Sequence, residues 1–420
     1  MMRIAVVGTG IAGLSAAWLL NTKHEVVLYE ANSYAGGHSN TVDVMLDGIT
    51  HPVDTGFLVH NERTYPNLIS LLSMLEIDTP PSDMSFSVSL PSHNLEWAGS
   101  SLSTLFAQPL NLIRPSFWRM VKDILRFNRE STALLDQVQG SGIALAELLD
   151  KHNYGAEFRD WYLYPMGAAI WSSPLKGMEV FPAETFLKFC LNHGLLQIFD
   201  RPQWRTINRG SREYVNAMLA VLPDVRLNTA VQSVRRNDDN VIVTTDAGEE
   251  VFDRVIMACH TDQSLHLLKD ALPAEKKVLS AIHYQPNVAW LHTDVSLMPK
   301  RQKTWSAWNY YSHGTPQQEN PVAVTYWLNR LQKLPFKTDI FVTLNPPASP
   351  AADKVIERIE YAHPLLDTAA YMAQKQLPEI QGINNVYFCG AWAGYGFHED
   401  GLKAGMEVAR LLGATIPWER

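Results

Sequence analysis

The chain has 420 residues, of which 46% are hydrophobic and 19% are charged. This composition is typical of a large globular protein and excludes a disordered chain, a collagen and a charged coiled coil. Asp and Glu number 43 against 35 Lys and Arg, so the net charge is −8 at pH 7 and we predict no nucleic-acid partner. The 12 Trp, 15 Tyr and 15 Phe are enough to line an apolar cavity as well as fill a core.

The cysteines and the first residues bear on the cellular compartment. Cys190, Cys259 and Cys389 form neither an even disulfide framework nor a CxxC pair, which favours a reducing compartment and predicts no metal site. An apolar strand begins at residue 3, and no stretch approaches the roughly 18 uninterrupted apolar residues of a membrane span. We therefore expect a cytoplasmic protein that is not integral to a membrane.

The predicted elements begin with a βαβ unit. Apolar runs over 3–7 and 25–29 predict buried strands, and the spacing of apolar residues over 11–20 predicts the helix between them. A hairpin follows over 42–50, where Asp47-Gly48 suits a two-residue turn. The later predicted elements are helices at 67–76, 115–135, 143–151, 157–170 and 183–193, strands at 231–234, 241–245, 254–258, 285–291, 323–328 and 339–344, and a strand, glycine-rich turn and helix within 385–412.

The order of these patterns predicts two interleaved domains. Residues 61–202 have mostly helical patterns, whereas strand patterns dominate before and after them. We predict one α/β domain built from 1–62, 203–262 and 363–420. The intervening stretches, 63–202 and 263–362, would form a cap over it.

A glycine-rich turn follows the first strand. Gly8, Gly10 and Gly13 fit GxGxxG, in which the first glycine permits a tight turn, the second lets backbone approach a pyrophosphate, and the third lets the helix pack on the strand. Glu30, at the end of the second strand, supplies a carboxylate for ribose hydroxyl groups. The pattern predicts dinucleotide binding. The same site would include Ile11, Ala12 and Ala31.

Two further glycine motifs extend this pattern. Gly36-Gly37-His38 follows Glu30, and the run 386–390 is followed by Gly-Leu-Lys-Ala-Gly at 401–405. In this order the motifs resemble those of the flavin-containing amine oxidase and phytoene desaturase superfamily, which 208–211, Val231 and 255–258 also resemble. The chain departs from the family at His38, where Arg is usual, and at Ala391, where an acidic residue is common.

The resemblance implies an α/β fold, with a Rossmann-like FAD-binding domain of the GR2 type and a discontinuous α+β substrate or cap domain. It implies FAD, with a C-terminal helix that points its positive end at the flavin N1/C2=O edge, where reduced flavin carries negative charge. Relatives can attach the flavin covalently through His or Cys, but no spacing here establishes such a link, and we predict non-covalent FAD. The FAD contacts that it adds are Gly36, Gly37, His38, Thr55, Gly56, Phe57, Val231, Gly390, Ala391, Asp400, Gly401 and Leu402.

The segment 392–400 combines aromatic rings with titratable groups just before a helix. We predict Tyr395, His398 and Glu399 as catalytic candidates on a flavin-facing wall. The alternative is that Asp400 caps the helix beginning near residue 401 and that the rings belong to the core. The absence of a GxSxG elbow, a Walker loop and an HExxH helix argues against a hydrolase, a phosphoryl-transfer enzyme and a zinc protease. No second GxGxxG for NAD(P)H occurs, which favours reduction of the flavin by the substrate itself.

A basic amphipathic helix is predicted within Phe106 to Arg129. Its basic residues fall on one face and its apolar residues on the opposite face. Such a helix suits peripheral contact with the inner face of a membrane, but it also suits a cap helix that buries one side on its own domain. The basic residues are Arg119, Lys122, Arg126 and Arg129, and the apolar ones are Ile113, Phe117, Met120, Val121 and Ile124.

The aromatic residues of the cap suit a long apolar substrate better than a small hydrophilic amine. The string at 394–401 also resembles a bacterial subgroup of NAD/FAD-binding proteins linked to cyclopropane-type fatty acid modification. We therefore predict an FAD-dependent oxidoreductase that takes hydride from a fatty acyl or other lipid chain and passes electrons to O2 or a quinone. The alternatives are an amine oxidase, a redox-neutral double-bond isomerase and a non-catalytic flavin-binding protein at a membrane.

Overall fold

The structure is a computed structural model that describes residues 1–197, 201–312 and 322–419. Its strands are β1 Arg3–Val7, β2 Glu25–Tyr29, β3 Thr41–Leu46, β4 Ile49–Asp54, β5 His60–Asn61, β6 Phe86–Leu90, β7 Leu95–Ala98, β8 Trp204–Arg205, β9 Asp224–Arg226, β10 Ser233–Asn237, β11 Asn240–Thr245, β12 Gly248–Phe252, β13 Arg254–Met257, β14 His283–His292, β15 Trp308–Tyr311, β16 Ala323–Trp327, β17 Phe341–Leu344, β18 Val355–Leu365 and β19 Val386–Phe388.

The helices complete the list of elements. They are α1 Ile11–Leu20, α2 Pro66–Met74, α3 Leu102–Leu105, α4 Pro115–Val138, α5 Leu145–Lys151, α6 Ala156–Phe158, α7 Tyr164–Trp171, α8 Leu175–Glu179, α9 Ala183–Asn192, α10 Arg212–Leu219, α11 Thr261–Leu267, α12 Pro273–Leu279, α13 Leu328–Leu331, α14 Thr368–Ile380 and α15 His398–Leu411. A π-helical turn, Arg159–Leu163, joins α6 to α7.

A parallel sheet of five strands gathers distant parts of the chain. Its order is β19-β13-β1-β2-β9, and Ile4 of β1 lies between Val26 of β2 and Arg254 of β13. The strands are nearly continuous apolar runs, as expected where both faces of a sheet are covered. The predicted α/β fold is confirmed, and β1, α1 and β2 have their predicted bounds.

A second sheet is mixed and has seven strands in the order β18-β14-β17-β16-β15-β6-β7. Strands β6 and β15 pair in parallel, whereas the other neighbours are antiparallel. The hairpin β3–β4 packs on this sheet, since Val44 and Val53 share an apolar cluster with Leu291 and Leu344. Its turn at Asp47 and Gly48 has the positive φ angles, 54° and 76°, that such turns require.

Several predicted elements differ from the observed ones. The stretch 61–202, predicted as mostly helical, also contains the short strands β6 and β7, whose residues are nearly all buried. The predicted helix over 157–170 is divided into α6, the π-helical turn and α7. Strand β18 was not predicted, and it runs to Leu365, beyond the predicted domain limit at 363. The proposed domain limits therefore remain a prediction.

Candidate active site

A cavity of about 1620 Å³ extends from the carboxyl ends of β1 and β2 to the seven-stranded sheet. Its wall contains most of the residues that the sequence predicts for the site. These are Gly8, Gly10, Ile11, Ala12, Glu30, Ala31, Gly36, Gly37, His38, Thr55, Gly56, Phe57, Val231, Gly390, Ala391, Tyr395 and His398. Gly13, Glu399, Asp400, Gly401 and Leu402 do not line it.

The first glycine turn shows three different spatial requirements. Gly8 has φ of +109°, and a Cβ atom there would lie 2.9 Å from the Ala258 carbonyl oxygen. A Cβ atom on Gly13 would overlap the Gly8 carbonyl oxygen, so α1 packs closely on the turn. At Gly10, in contrast, a Cβ atom would meet nothing within 4 Å. The open side of Gly10 faces the cavity at the N-terminus of α1, where free N–H groups suit a phosphate.

Glu30 lies at the end of β2 and ties the neighbouring loops together. One carboxylate oxygen accepts hydrogen bonds from the backbone N–H of Asn32 at 3.0 Å and from its side-chain amide at 2.9 Å. The other accepts from the backbone N–H of Thr9 at 3.2 Å and from the Thr9 hydroxyl. That hydroxyl in turn accepts from the N–H of Gly36 at 3.1 Å. The carboxylate is thus fixed on the cavity wall beside two glycine turns.

His398, the first residue of α15, contributes a buried ring to the wall. The ring stacks on Phe57 with centroids 3.8 Å apart, and Nε2 lies 2.7 Å from the Tyr214 hydroxyl oxygen and 3.3 Å from that of Ser39. Burial lowers the pKa of His398 to about 3. The imidazole is therefore neutral at physiological pH, and it can make hydrogen bonds without bringing a charge into the cavity.

Glu399 and Asp400 face away from the cavity, which corrects the roles predicted for them. The Glu399 carboxylate accepts from the N–H groups of Asn67 at 3.2 Å and Leu68 at 3.0 Å, and from the Asn67 amide at 2.7 Å, so it caps α2. Asp400 accepts from the N–H of Phe397 at 3.0 Å, and burial raises its pKa to about 6. Asp400 thus caps α15 from within its first turn, as the alternative interpretation held.

The other two predicted residues of α15 are packing positions. A Cβ atom on Gly401 would lie 2.7 Å from Ile11 Cγ2, so the absence of a side chain lets α15 approach α1. Leu402 is fully buried in the cluster beneath the parallel sheet. Neither residue lines the cavity. Both help to pack α15 against α1, the helix that carries the glycine turn.

A histidine-rich part of the wall was missed by sequence reasoning, apart from His38. His38 stacks on Tyr361 with centroids 4.8 Å apart, and His363 lies 5.2 Å from it. Asn287 Nδ2 is 3.0 Å from His363 Nδ1, which must therefore be the acceptor. Burial lowers the pKa of His38 well below its usual range and that of His363 to about 4. Tyr361 and His363 come from β18, and predicting that strand would have brought them into the site.

The far end of the cavity is aromatic. Arg201 and Asp83 reach its lining, with Asp83 paired to Arg330 at 2.8 Å, but no lysine lines it in the described part of the chain. The indole N–H groups of Trp97, Trp171 and Trp308 have no hydrogen-bond partner among the described residues. The rings lining this end are Trp97, Tyr162, Trp171, Phe189, Trp308, Tyr326, Trp392, Tyr395 and Phe397.

The residues at the other end fit FAD. Gly10 leaves open space at a helix N-terminus, and the Glu30 carboxylate stands at the adjacent strand end. The buried His38 Nε2 has no partner among the described residues, so it is free to bond a polar ligand. Bound FAD would be held by the three glycine-containing loops and by 55–57, with its phosphates at α1.

The predicted amphipathic helix, α4, buries its apolar face on its own domain. Phe117, Met120 and Phe127 are fully buried, as the cap-helix interpretation requires. On the opposite side Arg119 pairs with Glu157. Across the described residues, no helix is both long and apolar enough to span a bilayer.

Comparison with known proteins identifies relatives that share this architecture. The chain matches a curated protein, carotenoid phi-ring synthase of Streptomyces griseus, with 28% identity over 285 residues. The match covers 61% of this chain and 52% of that protein, so the chain spans about half the length of this relative. The activity and substrate of this chain therefore do not follow from this match.

Solved structures resemble the chain over 98% of its length. Putrescine oxidase bound to putrescine has 17% identity and a TM-score of 0.69, and the CLA-producing fatty acid isomerase from P. acnes has 16% identity and a TM-score of 0.67; both matches cover 98% of the other chain. These likenesses show the fold. The model of the family "flavin containing amine oxidoreductase" matches residues 11–338, about three quarters of the sequence. The chain therefore belongs to the flavin-containing amine oxidoreductase family, and its cofactor is a flavin.

Proposed function

We propose that the protein is an FAD-dependent oxidoreductase that removes hydride from a hydrophobic substrate, a fatty acyl or other lipid chain. One observation carries the proposal: the cavity that begins at the dinucleotide turns ends among aromatic rings, with no lysine on its described wall. A pocket of this kind binds an apolar chain by burying it, with few polar groups to orient it.

The residues of the chain would position the substrate and keep water out. Bound FAD supplies a two-electron acceptor for hydride from carbon. In a desaturation, the substrate loses a hydride and a proton from neighbouring carbons, gains a double bond, and its two electrons pass to O2 or a quinone. Tyr395 and the neutral His398 are the proposed polar groups facing the substrate, because both line the cavity. Glu399 is not among them, because its carboxylate caps α2.

Two relatives support a long apolar substrate. Their names refer to a carotenoid and to a fatty acid. Putrescine oxidase and cyclohexylamine oxidase share the fold equally well, so the fold alone does not select the substrate. The described wall lacks the lysine that amine oxidases of this superfamily often place near the flavin, and this favours the lipid chain. A redox-neutral isomerase would use the same pocket but return the hydride to a different carbon of the substrate.

Anaerobic mixing tests the proposal. The purified protein should be yellow, release FAD on denaturation because the flavin is not covalently bound, and bleach when mixed without O2 with a phospholipid that carries fatty acyl chains. Bleaching by amines alone would establish an amine oxidase instead. Conversion of the lipid's double bond without net bleaching would establish an isomerase.

The variant Gly10→Asp tests the assigned FAD site. A carboxylate on the open side of Gly10 would repel the pyrophosphate, so the variant should fold but lose its flavin. Gly10→Asn, of equal size but uncharged, is the matched control and should retain more flavin. A variant Gly10→Asp that remains as yellow as the native protein would contradict the site.

We also propose that the protein works in the cytoplasm and meets its lipid at the inner face of a membrane. The apolar face of α4, which the sequence suggested as the membrane contact, is buried and therefore unavailable. A membrane contact would therefore use other, exposed residues.

A further inference from the structure

Exposed apolar side chains are concentrated just before and at the start of α4. Leu110 is 58% exposed and Ile113 is 79% exposed, although both are large aliphatic residues. Large aliphatic side chains rarely cluster on the surface of a soluble protein unless that surface binds another molecule or a membrane. We call the following residues the 102–118 surface: Leu102, Leu110, Leu112, Ile113 and Trp118.

Contacts within the chain join these residues into one surface. The rings of Phe106 and Trp118 lie 5.4 Å apart, and the Trp118 indole N–H donates to the Leu112 carbonyl oxygen at 2.8 Å. Phe106 follows Leu102 by one helical turn, with its N–H bonded to the Leu102 carbonyl oxygen at 3.0 Å. The surface is therefore held in place by its own hydrogen bonds and ring contacts.

The two amide side chains of this segment, Gln108 and Asn111, are buried. Gln108 is 2% exposed; its amide bonds the Glu96 N–H at 3.1 Å and the Asn94 carbonyl oxygen at 2.9 Å. Asn111 is fully buried and donates to the Glu96 carbonyl oxygen at 3.4 Å. The segment thus buries its amides and exposes its aliphatic side chains, the reverse of an ordinary surface loop. This inversion indicates that the apolar side chains face something other than water.

Basic side chains flank the surface, in a protein whose net charge is −8. Residues 102–129 contain five basic residues and one acidic residue, Asp123. Lys122 is exposed and makes no ion pair with the described part of the chain. From a distant part of the sequence, the turn Gln302–Thr304 contacts α3 and carries the exposed Lys303. Lysines beside apolar residues complement anionic phospholipid headgroups above an acyl layer.

The cavity opens next to this surface. Gly99 and Ser100 line the cavity and are also exposed, so they stand at an opening. Ser100 precedes Leu102 by two residues. A lipid leaving a bilayer in contact with Leu102 would therefore have a short path to the aromatic end of the cavity.

We propose that the 102–118 surface docks on a bilayer containing anionic phospholipids and places the opening at Gly99 and Ser100 against it. The delivery of a lipid chain through that opening rests on the proposed function; the docking does not. The apolar side chains would enter the boundary between headgroups and acyl chains, while Lys122 and Lys303 contact phosphates.

Co-sedimentation of the full-length holoprotein with vesicles tests the docking. Phosphatidylglycerol-containing vesicles should bind the protein, and pure phosphatidylcholine vesicles should bind it more weakly. Leu110→Ser with Ile113→Ser should weaken binding at least about tenfold, through lost apolar burial. Lys122→Gln with Lys303→Gln should weaken it about 25-fold at low salt, at about fivefold per basic residue. The matched controls are Met45→Ser, at a residue as exposed as Ile113, and Lys276→Gln with Lys277→Gln.

The outcomes separate the docking from the proposed chemistry. If native protein fails to bind anionic vesicles, or the surface variants bind as well as the controls, the docking is overturned. Dimers that dissociate in the Leu110→Ser, Ile113→Ser variant would also overturn it, because a second copy would then cover the surface. Bleaching by a detergent-dispersed lipid should be the same in native and variant protein. Vesicle binding without bleaching by any lipid would retain the docking and reject the proposed function.

Discussion

The carboxylate of Glu399, in the first turn of α15, holds the N-terminus of α2. It accepts three hydrogen bonds from the first turn of α2, and Lys403 lies 3.7 Å from it. In Glu399→Gln the amide group would face N–H donors, which leaves a buried donor unpaired. We expect a loss of about 2 kcal/mol in the free energy of unfolding, typical of a hydrogen bond to a charged group.

Thermal or urea unfolding measures this loss, and stopped-flow reduction reports on the chemistry. The rate of flavin reduction per bound flavin should be unchanged in Glu399→Gln. Glu407→Gln, on the exposed side of the same helix, is the matched control and should alter neither quantity. A large fall in reduction rate with unchanged stability would return Glu399 to the catalytic site.

Sequence reasoning at the residue scale works for positions whose backbone a local motif determines, although their contacts with FAD stay a prediction. The GxGxxG turn and Gly36-Gly37-His38 place their residues on the cavity wall because tight turns depend on neighbouring residues. It failed for Tyr361 and His363, because their positions depend on pairing between β14 and β18 across about seventy residues. Glu399 was misassigned for a similar reason, since its partner α2 begins more than three hundred residues earlier.

At the scale of elements, the packing of α15 on α1 links the two ends of the chain. A Cβ atom on Gly405 would overlap Ser15 Oγ and the Ala12 carbonyl oxygen, so Gly405→Ala must push the helices apart. Overpacking of this kind costs about 1–3 kcal/mol. Because α1 carries the glycine turn, we expect weaker FAD retention as well as lower stability, measured by urea unfolding and by flavin titration of the apoprotein.

A variant on the other side of α15 controls for changes in the helix itself. Leu411→Ala removes an exposed side chain and should leave FAD affinity unchanged. Gly405→Ala with native affinity and stability would show that the helices do not depend on this close contact.

Elements themselves were predictable to different degrees. β1, α1 and β2 were predicted with their observed bounds, because buried parallel strands and their connecting turn have strong local patterns. β6, β7, β15 and β18 of the mixed sheet were missed, whereas its strands β14, β16 and β17 were predicted with shifted bounds. In β18 the charged residues Glu357, Arg358 and Glu360 are exposed, and only its pairing with β14 makes this segment the edge strand of the sheet.

For the whole molecule, buried histidines should control stability in acid. The pKa values of seven histidines are lowered, chiefly by burial. Below about pH 6.5 these histidines bind protons in the unfolded chain but stay neutral in the folded chain. The free energy of unfolding should therefore fall as the pH falls. Asp54 and Asp400 act in the opposite sense, because burial raises each pKa to about 6, but they are fewer. The histidines are His38, His60, His193, His260, His292, His363 and His398.

His292 does not line the cavity, so its contribution to the pH dependence of stability can be tested without altering the site. Its Nδ1 accepts the Asp294 N–H at 2.9 Å, Nε2 lies 2.7 Å from the Thr343 hydroxyl oxygen, and burial lowers its pKa from 6.5 to about 4. His292→Asn cannot titrate, so the slope of unfolding free energy against pH between about 6 and 5 should fall by about 1.1 kcal/mol per pH unit. Urea unfolding across this range measures the slope, and His283→Asn, at an exposed position, should preserve it. If His292→Asn keeps the native slope, His292 does not resist protonation in the folded protein and acid instability arises elsewhere.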